Sequence, residues 1–181
     1  RPELVQGIIA GGPEALWKSV EGAEDLAEEG ACAVIERGVR PGDVLCGITA
    51  SGRTPFVLGA LEQAREAGAR TILLTCNPSR KRAGKPWNVE IDLPTGAEIL
   101  AGSTRLKAGT ATKLALNIIS TCAMIRLGKT HGNKMIDFAA SNSKLRDRAI
   151  RLVSGARGIS YEQAESLLES HAWRVRDCLP V

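Results

Sequence analysis

The chain has 181 residues, 44% of them hydrophobic and 24% charged, a composition that suits one globular domain and excludes general disorder. Aromatics make up only 3%, which requires an aliphatic core and excludes the stacking ladders that hold single-stranded nucleic acid. The formal charge of +4, from 24 basic and 20 acidic residues, is mild and fits a site for a small anion. No run of 18 apolar residues is present, so no membrane partner is expected. Arg1-Pro2 lacks the order of a signal peptide, and the absence of an initial methionine reads as part of a longer protein. Five scattered cysteines, Cys32, Cys46, Cys76, Cys122 and Cys178, show no metal-ligand spacing. They are expected to be buried reduced thiols of a cytoplasmic protein with no metal and no cofactor.

The elements follow in chain order. Val5–Ala10 is a short apolar run closed by Gly11-Gly12, and predicts a buried strand. Pro13 opens a helical pattern through Ala27, with Leu16, Val20, Ala23 and Ala27 at helical spacing. Helix continues over 28–39 and stops at the Arg40-Pro41-Gly42-Asp43 turn. A second strand is predicted over 44–50, a helix over 56–67 ended by Gly68, a third strand over 71–76 and a shorter one over 89–93. Apolar strands alternating with helices of about a dozen residues give an α/β fold with a parallel sheet covered on both faces. After Gly96 the pattern becomes helical. One long helix is expected over 107–127, with Ala111, Leu114, Ala115, Ile118, Ile119 and Cys122 on its apolar stripe. Two more are expected over 143–156 and 160–176, the second opened by a capping box of Ser160 and Gln163.

Ligands of an open parallel sheet bind beyond the carboxyl ends of its strands. Ser51-Gly52-Arg53-Thr54 lies there, between a strand and a helix. Its glycine allows close backbone approach, and its hydroxyls together with the helix amides suit a phosphate. The plainer alternative is a helix start capped by Ser or Thr. At the second such place, 102–110, Ser103, Thr104, Thr110, Arg105 and Lys107 crowd the start of the longest helix. Cations are unfavourable at a helix N-terminus unless an anion neutralises them, which hints at a site. A third loop, 79–85, is basic and reads as solvated surface. Among carboxylates, Glu21 and Glu24 stand three apart and share a helix face, with Asp25 and Glu14 nearby. They are either partners of the helix dipole or a general acid/base pair beside a phosphate. Neither His131 nor His171 stands in a catalytic context.

The blocks VQGIIAGG, VEGAED, GITASGRTP, TCNP, GSTRLKAGTATK and NKMIDFAASNSKL, in that order, resemble the N-acetylmuramic acid 6-phosphate etherases. These are sugar isomerase (SIS) domain enzymes related to the glucokinase regulatory protein. The resemblance implies a flavodoxin-like parallel sheet over 1–140 and a small helical region over 141–181. It implies phosphosugar binding through Ser51, Gly52, Arg53, Thr54, Ser103, Arg105 and Lys107. It also implies lyase chemistry on the lactyl ether of N-acetylmuramate 6-phosphate, with Glu24 as base and Glu21 as the other choice. A homodimer without nucleic-acid or metal partners is expected, and so are a first strand, a phosphate loop and a second catalytic glutamate upstream of Arg1. The alternatives on the same fold are a phosphosugar-binding regulator and a sugar-phosphate isomerase.

Overall fold

The computed structural model describes residues 2–79 and 87–180, so most of the basic 79–85 loop lies outside the described residues. The chain forms two compact units, Arg1–Leu116 and Asn117–Val181. In the first, three strands, β1 (Val44–Ile48), β2 (Arg70–Thr75) and β3 (Val89–Asp92), pair in parallel in the order β1-β2-β3. Val44 faces Arg70 in the first ladder, and Ile72 faces Val89 in the second. The fold is thus α/β with a parallel sheet, as the alternation of strands and helices predicts. The centre strand β2 is the most buried, and its two threonines are satisfied internally. The Thr71 hydroxyl donates to the Asn88 Oδ1 at 3.1 Å, and the Thr75 hydroxyl donates to the Ala50 carbonyl at 3.1 Å. Buried hydroxyls without such partners would cost free energy.

Helices α1 (Ala27–Glu36) and α2 (Pro55–Glu66) pack against each other through two glycines. A Cβ on Gly30 would stand 2.0 Å from the Phe56 carbonyl oxygen, and one on Gly59 would stand 2.1 Å from the Ala27 carbonyl oxygen. Hydrogen at both positions lets the backbones meet at a distance no other side chain permits. Below them, Val34, Ala60, Ala64 and Ala69 form a small aliphatic cluster, while Leu61, Leu73 and Leu74 are fully buried.

Two expectations for the first 27 residues are overturned. Residues 5–10 are not a strand, and Val5 is 77% exposed. A strand needs a neighbour to complete its ladder, and among the described residues none runs beside this segment. Its polar ties are instead to Arg37, which donates to the Gln6 side chain at 2.9 Å. Residues 13–27 are not one helix but two short 3-10 turns, Gly12–Leu16 and Ala23–Asp25, with Leu16 69% exposed. Pro13 opens the first turn as expected, but Gly22, at φ 75°, breaks the helical path before the second.

Helix α3 (Lys107–Arg126) runs from the first unit into the second, and only Ala108 of it is buried. The expected stripe therefore stays largely uncovered, with Leu114, Ile118 and Cys122 exposed. By length and composition α3 is apolar enough to cross a membrane; a helix of a globular protein passes the same test. In the second unit a two-stranded ribbon, β4 (Thr130–His131) and β5 (Lys134–Met135), precedes α4 (Ser143–Arg157) and α5 (Tyr161–Ser170). Ala149, Ile150, Val153, Ala164 and Leu168 build their core. Helix α5 ends six residues earlier than predicted, because Ala172 and Trp173 take φ of 50° and 59° and turn the chain into a 3-10 segment, Val175–Cys178. The capping box is present: the Ser160 hydroxyl accepts from the Gln163 amide at 3.2 Å, and the Gln163 side chain accepts from the Ser160 amide at 3.0 Å. Ser160→Ala is expected to cost about 1 kcal/mol in urea unfolding. Burial of the cysteines is a further correction. Cys178 is buried, Cys46 and Cys76 are partly so, and Cys32 and Cys122 are exposed, because they lie on α1 and α3 faces that the described chain leaves open.

Candidate functional site

A cleft of about 640 Å³ opens along β1 and past its carboxyl end. The floor is β1 itself, from Leu45 to Ile48. One wall is the Ser51, Arg53, Thr54 and Pro55 turn into α2, another carries Glu24 and Asp25 from the second 3-10 turn, and Thr104 completes the rim. Burial pushes the Cys46 thiol on the floor above its ordinary value, so it sits there as a neutral apolar group rather than a nucleophile.

The turn after β1 is built around Thr49. This residue is buried, and its hydroxyl lies 2.7 Å from the Thr54 hydroxyl and 3.2 Å from the Ser51 hydroxyl. The Gly52 amide donates to the Thr49 carbonyl at 3.2 Å, with Gly52 buried at φ 71°, a conformation that glycine adopts without strain. The Ser51 hydroxyl also accepts from the Arg53 amide at 3.2 Å, and the Asn77 side chain donates to the Ser51 carbonyl at 3.2 Å. Thr54 is the N-cap residue of α2, yet it makes no side-chain cap. Its hydroxyl is turned to Thr49 instead, so the first turn of α2 meets the cleft with its amides uncapped by a side chain.

Of the residues singled out in the sequence, Glu24, Ser51, Arg53 and Thr54 line this cleft, with Gly52 in the same turn. Glu21 stands outside the lining residues, where its carboxylate accepts from the Ser19 hydroxyl at 2.6 Å. Ser103 is not a lining residue, and Arg105 and Lys107 border a separate shallow depression with Leu106, Thr110, Ala111 and Leu114. Sequence reasoning passed over Thr49, Asp25 and Thr104 as cleft residues. Thr49 carried a signal, a polar residue closing an otherwise apolar strand, and Thr104 stood in the hydroxyl-rich run already noted. Nothing in the sequence marked Glu98. Its carboxylate accepts from the amides of Lys107 at 3.0 Å and Ala108 at 2.9 Å, at the first turn of α3. The Ala108 amide above all, with lesser help from the amide and charge of Lys107, holds this carboxyl below the usual carboxylate range against the opposing effect of desolvation. The anion that the cations at this helix start call for is therefore supplied by the chain itself. Among the described residues no group of three or more His, Cys, Asp or Glu side chains gathers in metal-binding proximity.

Residues 2–65 match the family described as the glucokinase regulatory protein N-terminal SIS domain. Over 178 residues, 98% of the chain, it is 53% identical to the N-acetylmuramic acid 6-phosphate etherase of Gloeobacter violaceus, covering 58% of that protein. The figures are 54% over 173 residues and 56% of the protein of that name from a Nostoc species, and 55% over 168 residues and 54% of the one from Trichormus variabilis. The chain thus spans somewhat over half the length of the curated relatives it matches. By sequence the chain is thus similar to the N-acetylmuramic acid 6-phosphate etherases over nearly all its length, and to a glucokinase regulatory protein SIS domain over residues 2–65.

Proposed function

We propose that this chain carries phosphosugar-binding residues and one acid/base carboxylate of a carbon–oxygen lyase that acts on N-acetylmuramate 6-phosphate. The products are N-acetylglucosamine 6-phosphate and D-lactate. The reading rests on the name shared by relatives 53% identical over 98% of the chain, and on one feature of the cleft. That feature is the start of α2, whose N-cap hydroxyl is engaged by Thr49 while the cleft meets the uncapped first turn. A helix start with free amides, a tight glycine turn and two hydroxyls favours a phosphate dianion. A plain capped helix start fits this turn less well, since the capping bond is not made.

In the proposed reaction, the sugar binds as its open-chain aldehyde with the phosphate at Ser51–Thr54. Glu24 removes the proton from the carbon next to the aldehyde. The electron pair moves to form a carbon–carbon double bond, the bond from the sugar carbon to the lactyl oxygen breaks, and the departing alkoxide takes up a proton. Water then adds across the double bond, restoring a hydroxyl where the ether stood. Glu24 suits the base role because it shares the cleft with the phosphate turn, while Glu21 does not line it. Arg53, on the same wall, adds positive charge toward the phosphate. Residues 1–140 form the sugar isomerase domain in this reading. The protein works in the cytoplasm, in recycling of peptidoglycan sugars, as a homodimer packed through the exposed Leu114 and Ile118 face of α3.

Ser51→Ala is expected to weaken N-acetylglucosamine 6-phosphate binding by tenfold or more, since a hydrogen bond to a charged group contributes about 1.5–3 kcal/mol. Calorimetric titration of the full-length protein reads this. Equal affinity of the wild-type protein for the unphosphorylated sugar would overturn the phosphate assignment. The second reading, a phosphosugar-binding regulator, is favoured by the match of residues 2–65 to the glucokinase regulatory protein domain. It predicts tight binding of the phosphosugar with no lactate released.

A further inference from the structure

We infer that Glu98 is a positioning residue for the cleft: by clamping the start of α3 it fixes the 99–106 loop so that Thr104 faces the bound phosphosugar. This rests on the phosphosugar reading of the cleft. Both oxygens of Glu98 are engaged, one with the Lys107 amide and one with the Ala108 amide. The carboxylate therefore ties residue 98 to residues 107 and 108 and closes the intervening segment into a loop. Little else anchors that loop by packing. Ile99 is 96% exposed and Leu100 63% exposed, so among the described residues no apolar contact of consequence holds its outer half. Inside it the chain turns tightly, through Ser103 amide to Leu100 carbonyl at 3.0 Å and Thr104 amide to Gly102 carbonyl at 3.0 Å, with Gly102 at φ 83°. Thr104 emerges from these turns on the rim of the cleft, on the same cavity as Ser51, Thr54 and Glu24.

The same clamp has a second consequence. A carboxylate already occupies the two leading amides of α3, so a phosphate is not required there to balance Arg105 and Lys107. The phosphate is left to the α2 start, and the α3 loop contributes the Thr104 hydroxyl to the rest of the ligand. Glu98 thus acts on the ligand through Thr104 and not by touching it.

A double-mutant cycle on the full-length protein tests this, using Glu98→Ala, Thr104→Ala and the pair, with N-acetylglucosamine 6-phosphate as the probe. Thr104→Ala alone is expected to weaken binding about threefold to tenfold, the loss of one neutral hydrogen bond. Glu98→Ala is expected to do at least as much, and Thr104→Ala in the Glu98→Ala background should then cost less than about twofold, because the hydroxyl is already misplaced. Losses that multiply independently would overturn the inference and leave Glu98 a helix cap only. Amide hydrogen exchange on Glu98→Ala gives a second arm, independent of ligand. Faster exchange confined to 103–108, with β2 and α2 still protected, supports the clamp and reports that the fold survives. Unchanged protection over 103–108 overturns it. If the wild-type protein fails to bind the probe at all, the phosphosugar reading falls, and the exchange arm still decides whether Glu98 holds the loop.

Discussion

Glu24→Gln in the full-length protein is expected to lower D-lactate release from N-acetylmuramate 6-phosphate by about 10²–10⁴-fold while leaving phosphosugar binding close to wild type. The substitution keeps the size of the side chain and a hydrogen-bonding group but removes the base, and general base catalysis contributes roughly that factor. Binding is preserved because the phosphate is assigned to the Ser51–Thr54 turn, on a different wall of the same cleft. A coupled lactate assay and a calorimetric titration read the two quantities separately. Near wild-type release from Glu24→Gln together with loss in Glu21→Gln would move the base to Glu21. Activity retained in both variants would reduce the acidic pair to partners of the adjacent 3-10 turn. Asp25 shares the cleft with Glu24, so Asp25→Asn is the matching control for an acid on the same wall.

The second large effect concerns stability. Gly30→Ala and Gly59→Ala are each expected to destabilise the protein by about 1–3 kcal/mol, read as a lower urea midpoint with unchanged slope. Alanine would by itself favour a helix interior over glycine by about 1 kcal/mol. Here the added methyl meets a backbone carbonyl oxygen of the facing helix, at 2.0 Å for Gly30 and 2.1 Å for Gly59. A carbonyl cannot swing aside as a side chain can, so α1 and α2 must separate, and the clash outweighs the gain in propensity. Because α2 carries the Ser51–Thr54 turn at its start, the same variants should also weaken phosphosugar binding. A gain in stability from either variant would show that the helix contact is looser than the structure gives.

The α/β architecture was legible because its cues are local. Apolar runs at 44–48 and 70–75 separated by an amphipathic stretch and glycine stops give strand, helix and strand whatever surrounds them. The capping box at Ser160 was legible for the same reason, since all its partners lie within three residues. The run at 5–10 carried an equally strong apolar signal and misled. Strand formation there depends on a neighbour that residues 5–10 do not themselves encode. The helical spacing of Leu16 and Val20 misled because Gly22 ends the path and, among the described residues, no facing surface buries that side of the chain.

For the site, the residue types alone determined that a glycine-and-hydroxyl turn at 51–54 would follow a strand and open a helix, and that Glu24 was an acid worth testing. Only the tertiary structure decided which groups share one cavity. It joined Glu24 and Asp25 to the 51–54 turn, set Glu21 apart, turned the Thr54 hydroxyl from its own helix to Thr49, and brought in Thr104 in place of Arg105 and Lys107. It also revealed Glu98 as the anion at the start of α3, a partnership across the 99–106 loop that no periodicity records. The physical reason is common to all of these. Propensity and pattern act over a few residues along the chain, whereas a cleft is made by segments far apart in sequence, and their meeting is set by how the helices and sheet pack.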